Sequence, residues 1–266
     1  MKIHPTAVVD SGAELDASVV VGPYAVIEKG VRIAAESEIA AHAVISGSTS
    51  IGKRNKIGSF STIGLPPQDL KYQNEDTRLE IGDDNQIREY VSIHRGTFTG
   101  RGVTIIGNHN LLMSYVHIGH DCLIGNHIIM ANAASLGGHV EVEDRVTFGA
   151  FVAVHQFTRI GTYAYMGGMS GITKDVPPYL LVAGTRNQMR ITGINKIGLK
   201  RNGFDNETIR KMMKAYTIIF KTPELLLKDA LEQALQEIPD CEPVERLVNF
   251  FRTSKRSVVR ESSDEE

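Results

Sequence analysis

The sequence predicts a mainly β chain, a parallel β-helix of hexapeptide repeats followed by a C-terminal α-helical domain, on three observations. First, an aliphatic residue or a close substitute returns every six positions: Ile3, Val9, Leu15, Val21, Ile27, Ile33, Ile39, Ile45, Ile51, Ile57 and Ile63, then Ile81, Ile87 and Ile93. After a slip of one it resumes at Ile106, Leu112, Ile118, Ile124, Met130, Leu136, Val142, Phe148, Val154, Ile160, Met166 and Ile172. Neither a heptad nor a 3.6-residue helical face yields this series. Second, the fifth position of the hexad is small or β-branched (Ala25, Ala43, Thr49, Val91, Val116, Cys122, Ala134, Val140, Val152), as a narrow interior requires. Third, the beat stops at Pro177-Pro178, and apolar residues further on fall at helical spacing.

Each hexad supplies a short strand and a corner, with glycines read as easing the corners. Three edges close one triangular circuit, and roughly nine circuits stack as parallel strands about 4.8 Å apart, satisfying backbone groups from coil to coil. Two interruptions break the beat, one from Leu65 to about Glu80 and one from Gly96 to about Ile105. Long excursions from a repeat usually carry function. The Asp69-Leu70-Lys71-Tyr72 cluster gives the first one the chemistry for it. The predicted division is residues 1–178 for the β-helix and 179–266 for a linker plus helices. The linker holds Gly184, Gly193, Gly198 and Gly203, and Asn206-Glu207-Thr208 starts a helix bearing Ile209, Met212, Met213, Tyr216, Ile219 and Phe220. A second helix carries Leu226, Ala230, Leu231, Ala234 and Leu235, and a third Val244, Leu247, Val248 and Phe251. Such a cap closes the open end of a repeat fold. The ESSDEE tail reads as disordered.

With 266 residues, 42% of them apolar, the chain can bury a sizeable core, while a net charge of −2 leaves no nucleic-acid footprint. Two cysteines, Cys122 and Cys241, offer no disulfide framework and fit a reducing compartment. The chain enters the repeat at once, without a signal stretch, and no run approaches membrane-spanning length. The expectation is a soluble cytoplasmic protein without membrane insertion. Tyr90, His94, Met113, Tyr115 and His117 are large for a solvent-facing wall and are read as packing on another subunit, with a homotrimer as the simplest closed arrangement.

The chemistry-bearing residues follow from the stacking arithmetic. Hexads beginning at Ile118, Leu136 and Val154 lie eighteen residues apart, hence one above another, and contain His120, His139 and His155, with His117 just before the first. A lone histidine on such a wall is most often a hydrogen-bonded surface or interface residue. In the run His117-Ile118-Gly119-His120-Asp121, however, Asp121 can hold the His120 ring and favour the imidazolium formed on proton abstraction. Two readings compete: a general base for acyl transfer, or a zinc site like that of the γ-class carbonic anhydrases, which hold zinc with histidines on a similar β-helix. Against zinc, His120 and His139 occupy different positions in their hexads. A noncatalytic wall of the ice-binding kind would need ranks of Thr-x-Thr, which this chain lacks.

Several blocks also carry a family resemblance: Asp69-Leu70-Lys71-Tyr72, IREYVSIHRGT (Ile87 to Thr97), Asn110-Leu111-Leu112-Met113, His117 to Cys122, Gly138-His139-Val140, Ala153 to Phe157, Asp175 to Tyr179 and GLKRNGF (Gly198 to Phe204). In this order they resemble the acyl-[acyl-carrier-protein]:UDP-N-acetylglucosamine O-acyltransferases, nearly end to end. The resemblance implies a left-handed β-helix and the opening step of lipid A biosynthesis, transfer of a 3-hydroxyacyl group from acyl carrier protein to the 3-hydroxyl of UDP-N-acetylglucosamine. It implies His120 as general base, Asp121 orienting it, and the Gly138 N–H stabilising the oxyanion. His139 and Gln156 would position the acyl 3-hydroxyl or the sugar, with His117 and His155 lining the cleft and Asp69 and Lys71 reaching in, Lys71 near the phosphates. It implies no metal and no organic cofactor.

The chain departs from the family around Asn195 and Arg201. It has Ile197 where an acidic residue is usual and Asn202 where a second arginine is usual. Arg201 is read as a phosphate or carrier-protein contact, and an N-acylated 3-amino sugar stays open as an alternative. The family resemblance also makes Gly168 the ruler at the end of an acyl groove along the prism, on the order of 13 Å from His120, and a missing side chain there predicts an acyl group of about fourteen carbons or more.

Overall fold

The structure, a computed structural model, describes residues 2–185 and 188–258. The C-terminal tail read as disordered lies outside the described residues. Most strands are only two residues long, and they stack into three parallel faces. Face one runs from Lys2–Ile3 through Tyr165–Met166 to Leu180–Ala183, face two from Val8–Val9 to Gly171–Ile172, and face three from Glu14–Leu15 to Arg159–Ile160. Register follows the beat: Ile118 pairs with Leu136, and Leu136 with Val154. From Val21 to Ile172 every residue of the sixfold series is buried, at most 5% exposed, whereas Ile3 in the first coil is 40% exposed. Each buried aliphatic contributes about 1.5–3 kcal/mol, so the spine of the prism is its main source of stability.

The corners differ from expectation. Left-handed backbone there belongs mostly to non-glycine residues, such as Tyr24 (φ 57°), Arg54 (φ 54°), Asp121 (φ 59°) and His139 (φ 61°). The repeat glycines serve a different purpose, close approach of coils. A Cβ on Gly58 would lie 2.5 Å from the Arg88 backbone, and one on Gly107 would lie 2.6 Å from the Gly125 carbonyl oxygen.

The three edges of the prism have distinct characters. Between faces one and two runs an exposed stack, Tyr24, His42, Phe60, Tyr90 and Tyr115, with ring centroids 4.8–5.2 Å apart. Between faces three and one runs a ladder in which successive backbone N–H groups each donate to a side-chain oxygen one coil on: Lys53 to Asp83 (2.7 Å), Asp83 to Asn108 (2.7 Å), Asn108 to Asn126 (2.8 Å) and Asn126 to Asp144 (2.7 Å). The third edge, between faces two and three, receives both excursions, since the chain crosses it from Thr62–Leu65 to Arg78–Ile81 and from Ser92–His94 to Val103–Ile106. Strands claim both ends of the first predicted interruption and the C-terminal end of the second, leaving residues 66–77 and 95–102 as the loops.

The expected linker is structured. Leu180–Ala183 extends face one and pairs antiparallel with Arg190–Ile194. Leu180, Val182, Ile191 and Ile194 are buried, an alternation that Gly184 and Gly193 (φ 110° and 149°) obscured in sequence because they read as punctuation. Helix α1 (Lys196–Arg201) follows, then α2 (Asn206–Phe220), capped by Asp205 accepting from the Thr208 N–H, α3 (Leu227–Glu237) and α4 (Glu242–Thr253). Arg159 docks α4 on face three, its guanidinium 4.3 Å from the Phe250 ring centroid and 2.7 Å from Glu143. Among the described residues no helix is long and apolar enough to cross a membrane.

Candidate active site

Because the hexads stack in register, His120, His139 and Phe157 follow one another along the edge that carries both excursions. The His120 Nδ1 lies 2.8 Å from the Asp121 carboxylate, and His139 Nε2 lies 3.8 Å from the same oxygen. The two imidazoles meet edge to face at 5.1 Å, and His139 stacks on Phe157 at 4.4 Å. His120 and His139 keep 14% and 18% of their side chains exposed, while the Asp121 side chain is fully buried.

The second excursion builds the cradle for that buried charge. Thr97 donates to Asp121 through its N–H (3.1 Å) and its hydroxyl (2.6 Å), Arg101 donates through its N–H (2.8 Å), and Gly100 packs so closely that a Cβ would sit 2.5 Å from the carboxyl carbon. Burial pushes the Asp121 carboxyl up, but the bonds from His120, Thr97 and Arg101 outweigh it and hold it down at about 2. Asp121 is thus a fixed anion that orients the His120 ring and leaves Nε2 without a hydrogen-bond partner among the described residues.

Nε2 faces Gly138. A Cβ on that residue would meet His120 Cε1 at 2.6 Å and Nε2 at 2.7 Å, so only glycine lets the backbone come this near. The preceding carbonyl, Gly137, accepts from the thiol of fully buried Cys122 at 3.2 Å and so points into the prism. Across a trans peptide the Gly138 N–H must then point outward, beside His120, and no described residue accepts from it. The sequence reads Cys122 as filler at an inward position; in the structure burial pushes its thiol up to about 12, and the thiol also bonds the Gly137 carbonyl.

The remaining predicted residues divide. His117 donates to or accepts from Ser92 Oγ at 2.8 Å and meets His94 at 5.3 Å, and burial, then the neighbouring His94 and His120, push its pKa down to about 4. His94 is buried against the Pro66 carbonyl at 2.6 Å, so its bulk is accounted for inside the chain and needs no second subunit. The first excursion is clamped by Arg95, which donates to the Gly64 carbonyl and the Tyr72 hydroxyl. It carries Asp69, whose side chain accepts from the Lys71 N–H, and wholly exposed Leu70; the Asp69 charge is felt at His139. His155 and Gln156 are exposed on the same edge. Three residues are not brought to it. Gly168 follows Tyr165–Met166 and so lies on the aromatic edge. Asn195 caps α1, accepting from the Gly198 N–H and donating to the Tyr163 carbonyl, and Arg201 ends that helix beside Asn202, which accepts from Arg145.

The different hexad positions of His120 and His139 do not keep their donors apart: with Asp121 they form a group whose ligand atoms lie within 4.8 Å. Asp121 nonetheless already accepts from His120, Thr97 and Arg101, which leaves little lone-pair capacity for a cation.

Residues 175–259 match the family model for domain 2 of UDP N-acetylglucosamine O-acyltransferase. The chain is 50% identical over 98% of its length, and all of the relative's, to the acyl-[acyl-carrier-protein]–UDP-N-acetylglucosamine O-acyltransferase of Syntrophobacter fumaroxidans. It is 52% identical to that of Halorhodospira halophila, covering 97% of this chain and 99% of the relative. The chain belongs to the UDP-N-acetylglucosamine O-acyltransferase family. Solved family members superpose closely. LpxA from Acinetobacter baumannii is 42% identical with a TM-score of 0.92 over 97% of this chain and 99% of its own, and LpxA from Bacteroides fragilis is 40% identical with 0.93 over 97% and 100%. The fold is therefore the left-handed parallel β-helix of the O-acyltransferase family, with its C-terminal helical region.

Proposed function

We propose that this chain transfers a 3-hydroxyacyl group from acyl carrier protein to the 3-hydroxyl of UDP-N-acetylglucosamine, the first step of lipid A biosynthesis. The observation that carries this reading is the juxtaposition of a carboxylate-held imidazole and an outward, unclaimed amide, in a chain half identical to enzymes of that name. His120 Nε2 takes the proton of the sugar hydroxyl as its oxygen attacks the thioester carbonyl. The C–O bond forms, the carbonyl oxygen becomes an oxyanion at the Gly138 N–H, and collapse breaks the C–S bond. The imidazolium, stabilised by Asp121, returns its proton to the departing thiolate. No step calls for a metal or organic cofactor. Stoichiometric zinc required for activity, in protein purified without chelators, would replace this reading with the metal one.

We assign the base to the β-helix domain, residues 1–178, and read helices α1 to α4 as the unit that caps it, with Arg201 as a phosphate or carrier-protein contact. The proposed substrate residues occupy three different edges: His120, His139 and Gln156 on one, Gly168 on another, Asn195 and Arg201 beside Tyr163 and Arg145 on the third. One substrate cannot touch all three within a chain, and a homotrimer that sets the edges of neighbours together supplies the missing sides, with exposed Leu70 reaching across. We place this assembly in the cytoplasm, where acyl carrier protein resides. A side chain at Gly168 would press only on the Ala150 carbonyl oxygen, 3.3 Å from its Cβ, and we read its absence as leaving the groove end open to a chain of about fourteen carbons or more.

Incubation with UDP-N-acetylglucosamine and 3-hydroxyacyl carrier protein, followed by mass spectrometry, tests the proposal. An O-acylated nucleotide sugar from the wild type and none from His120→Ala is expected. Turnover only with a 3-amino sugar nucleotide would move the assignment to amide formation, which Ile197 and Asn202 keep in view.

A further inference from the structure

After α4, residues 254–258 lie against Asp175 on the edge that holds the histidines. Ser254 Oγ donates to Asp175 (2.7 Å), the Asp175 N–H donates to the Ser257 carbonyl (3.1 Å), and Asp175 bridges in parallel to Val258. Asp175 also accepts from the Arg159 N–H at 2.8 Å, so it is spent on backbone and hydroxyl partners. What this clasp delivers is Arg256.

The Arg256 Nη2 lies 3.4 Å from His155 Nδ1, and its Nε is buried with no acceptor among the described residues. His155 Nδ1 also lies 3.1 Å from the Gln156 carbonyl oxygen. That nitrogen can donate to Gln156 or accept from Arg256, but not both. With the proton on Nδ1 and given to Gln156, the Arg256 Nη2 joins Nε in having no acceptor among the described residues, an arrangement that phosphate oxygens complete. The position is two coils from His120, about 10 Å at the coil spacing.

We propose that Arg256, with His155, forms a phosphate-binding subsite of the crevice. This rests on the acyl-transfer reading, in which both substrates carry the required chemistry: the nucleotide sugar has a diphosphate, and the carrier protein joins its thiol arm through a phosphodiester. Arg256 fixes one of these while His120 acts on the reacting atoms, which makes it a binding residue and not a base.

The test is steady-state kinetics of the full-length enzyme, Arg256→Gln and Arg256→Lys, varying each substrate with the other saturating, alongside thermal unfolding. The Gln variant is expected to raise one KM about tenfold or more with kcat little changed, and the Lys variant to recover part of the loss. A raised KM for the nucleotide sugar assigns the diphosphate. A raised KM for the acyl carrier, absent with donors whose arm lacks phosphate, assigns the phosphodiester. Both KM values within twofold of wild type overturn the proposal, as does an activity loss that tracks a lowered unfolding temperature and is not recovered by Lys. A wild-type enzyme inactive on these substrates would instead defeat the functional reading itself.

Discussion

The asparagine edge and the histidine edge are built on the same backbone, two residues past an inward aliphatic, yet one is closed and the other open. On the first, the N–H of Lys53, Asp83, Asn108 and Asn126 each meets a side-chain oxygen from the next coil. On the second, the equivalent N–H of Gly138 points the same way and meets nothing among the described residues, with His120 beside it. The ladder shows what an amide at this position is able to do in this fold: hold an oxygen brought beside it. Leaving one unfilled next to an imidazole converts a stabilising device into a site for a developing negative charge.

Substitutions can break that contrast in opposite senses. The largest effect belongs to His120→Ala, expected to lower kcat about 10²–10⁴-fold with the fold intact by circular dichroism. Next is Gly138→Ala, whose new methyl would overlap the His120 ring; a fall in kcat of about 10²-fold or more is expected with a small change in unfolding temperature. Asn126→Ala should do the reverse. It strips the Asn108 N–H of its acceptor and costs about 1–3 kcal/mol in denaturant unfolding while kcat holds. Smaller still is a pH effect. Because His117 is held at about 4, below the ordinary 6.5, the unfolded chain takes up a proton that the folded chain refuses. Its contribution to stability is full above pH 6.5 and is lost as pH falls towards 4, so His117→Asn should flatten the stability profile in that window. Finally, Gly168→Met should leave stability nearly unchanged and shorten the preferred acyl chain, read from product masses.

The sixfold series made the prism legible because its interior accepts one aliphatic side chain per strand, and the positions from Val21 to Ile172 are buried in that frame. The proximity of His120 and His139 was legible for the same reason, as eighteen-residue spacing is a contact in a triangular coil. Three things were not. The cradle of Thr97 and Arg101 around Asp121 depends on a loop folding over the following coil, and no periodicity encodes that. The bond from the Cys122 thiol to the Gly137 carbonyl, which accompanies the outward Gly138 amide, was not legible because Cys122 is indistinguishable in sequence from the alanines and valines that fill neighbouring coils. The hairpin of Leu180–Ala183 and Arg190–Ile194 was hidden by glycines that belong to its turn and its bulge.

The most direct test of the open amide is a crystal structure with a tetrahedral phosphonate analogue joining the acyl and sugar substrates. The account predicts the oxyanion-mimicking oxygen about 2.7–3.1 Å from the Gly138 nitrogen, with the sugar oxygen within hydrogen-bonding reach of His120 Nε2. An analogue bound with that oxygen turned away from Gly138, or held on another edge of the prism, would contradict it.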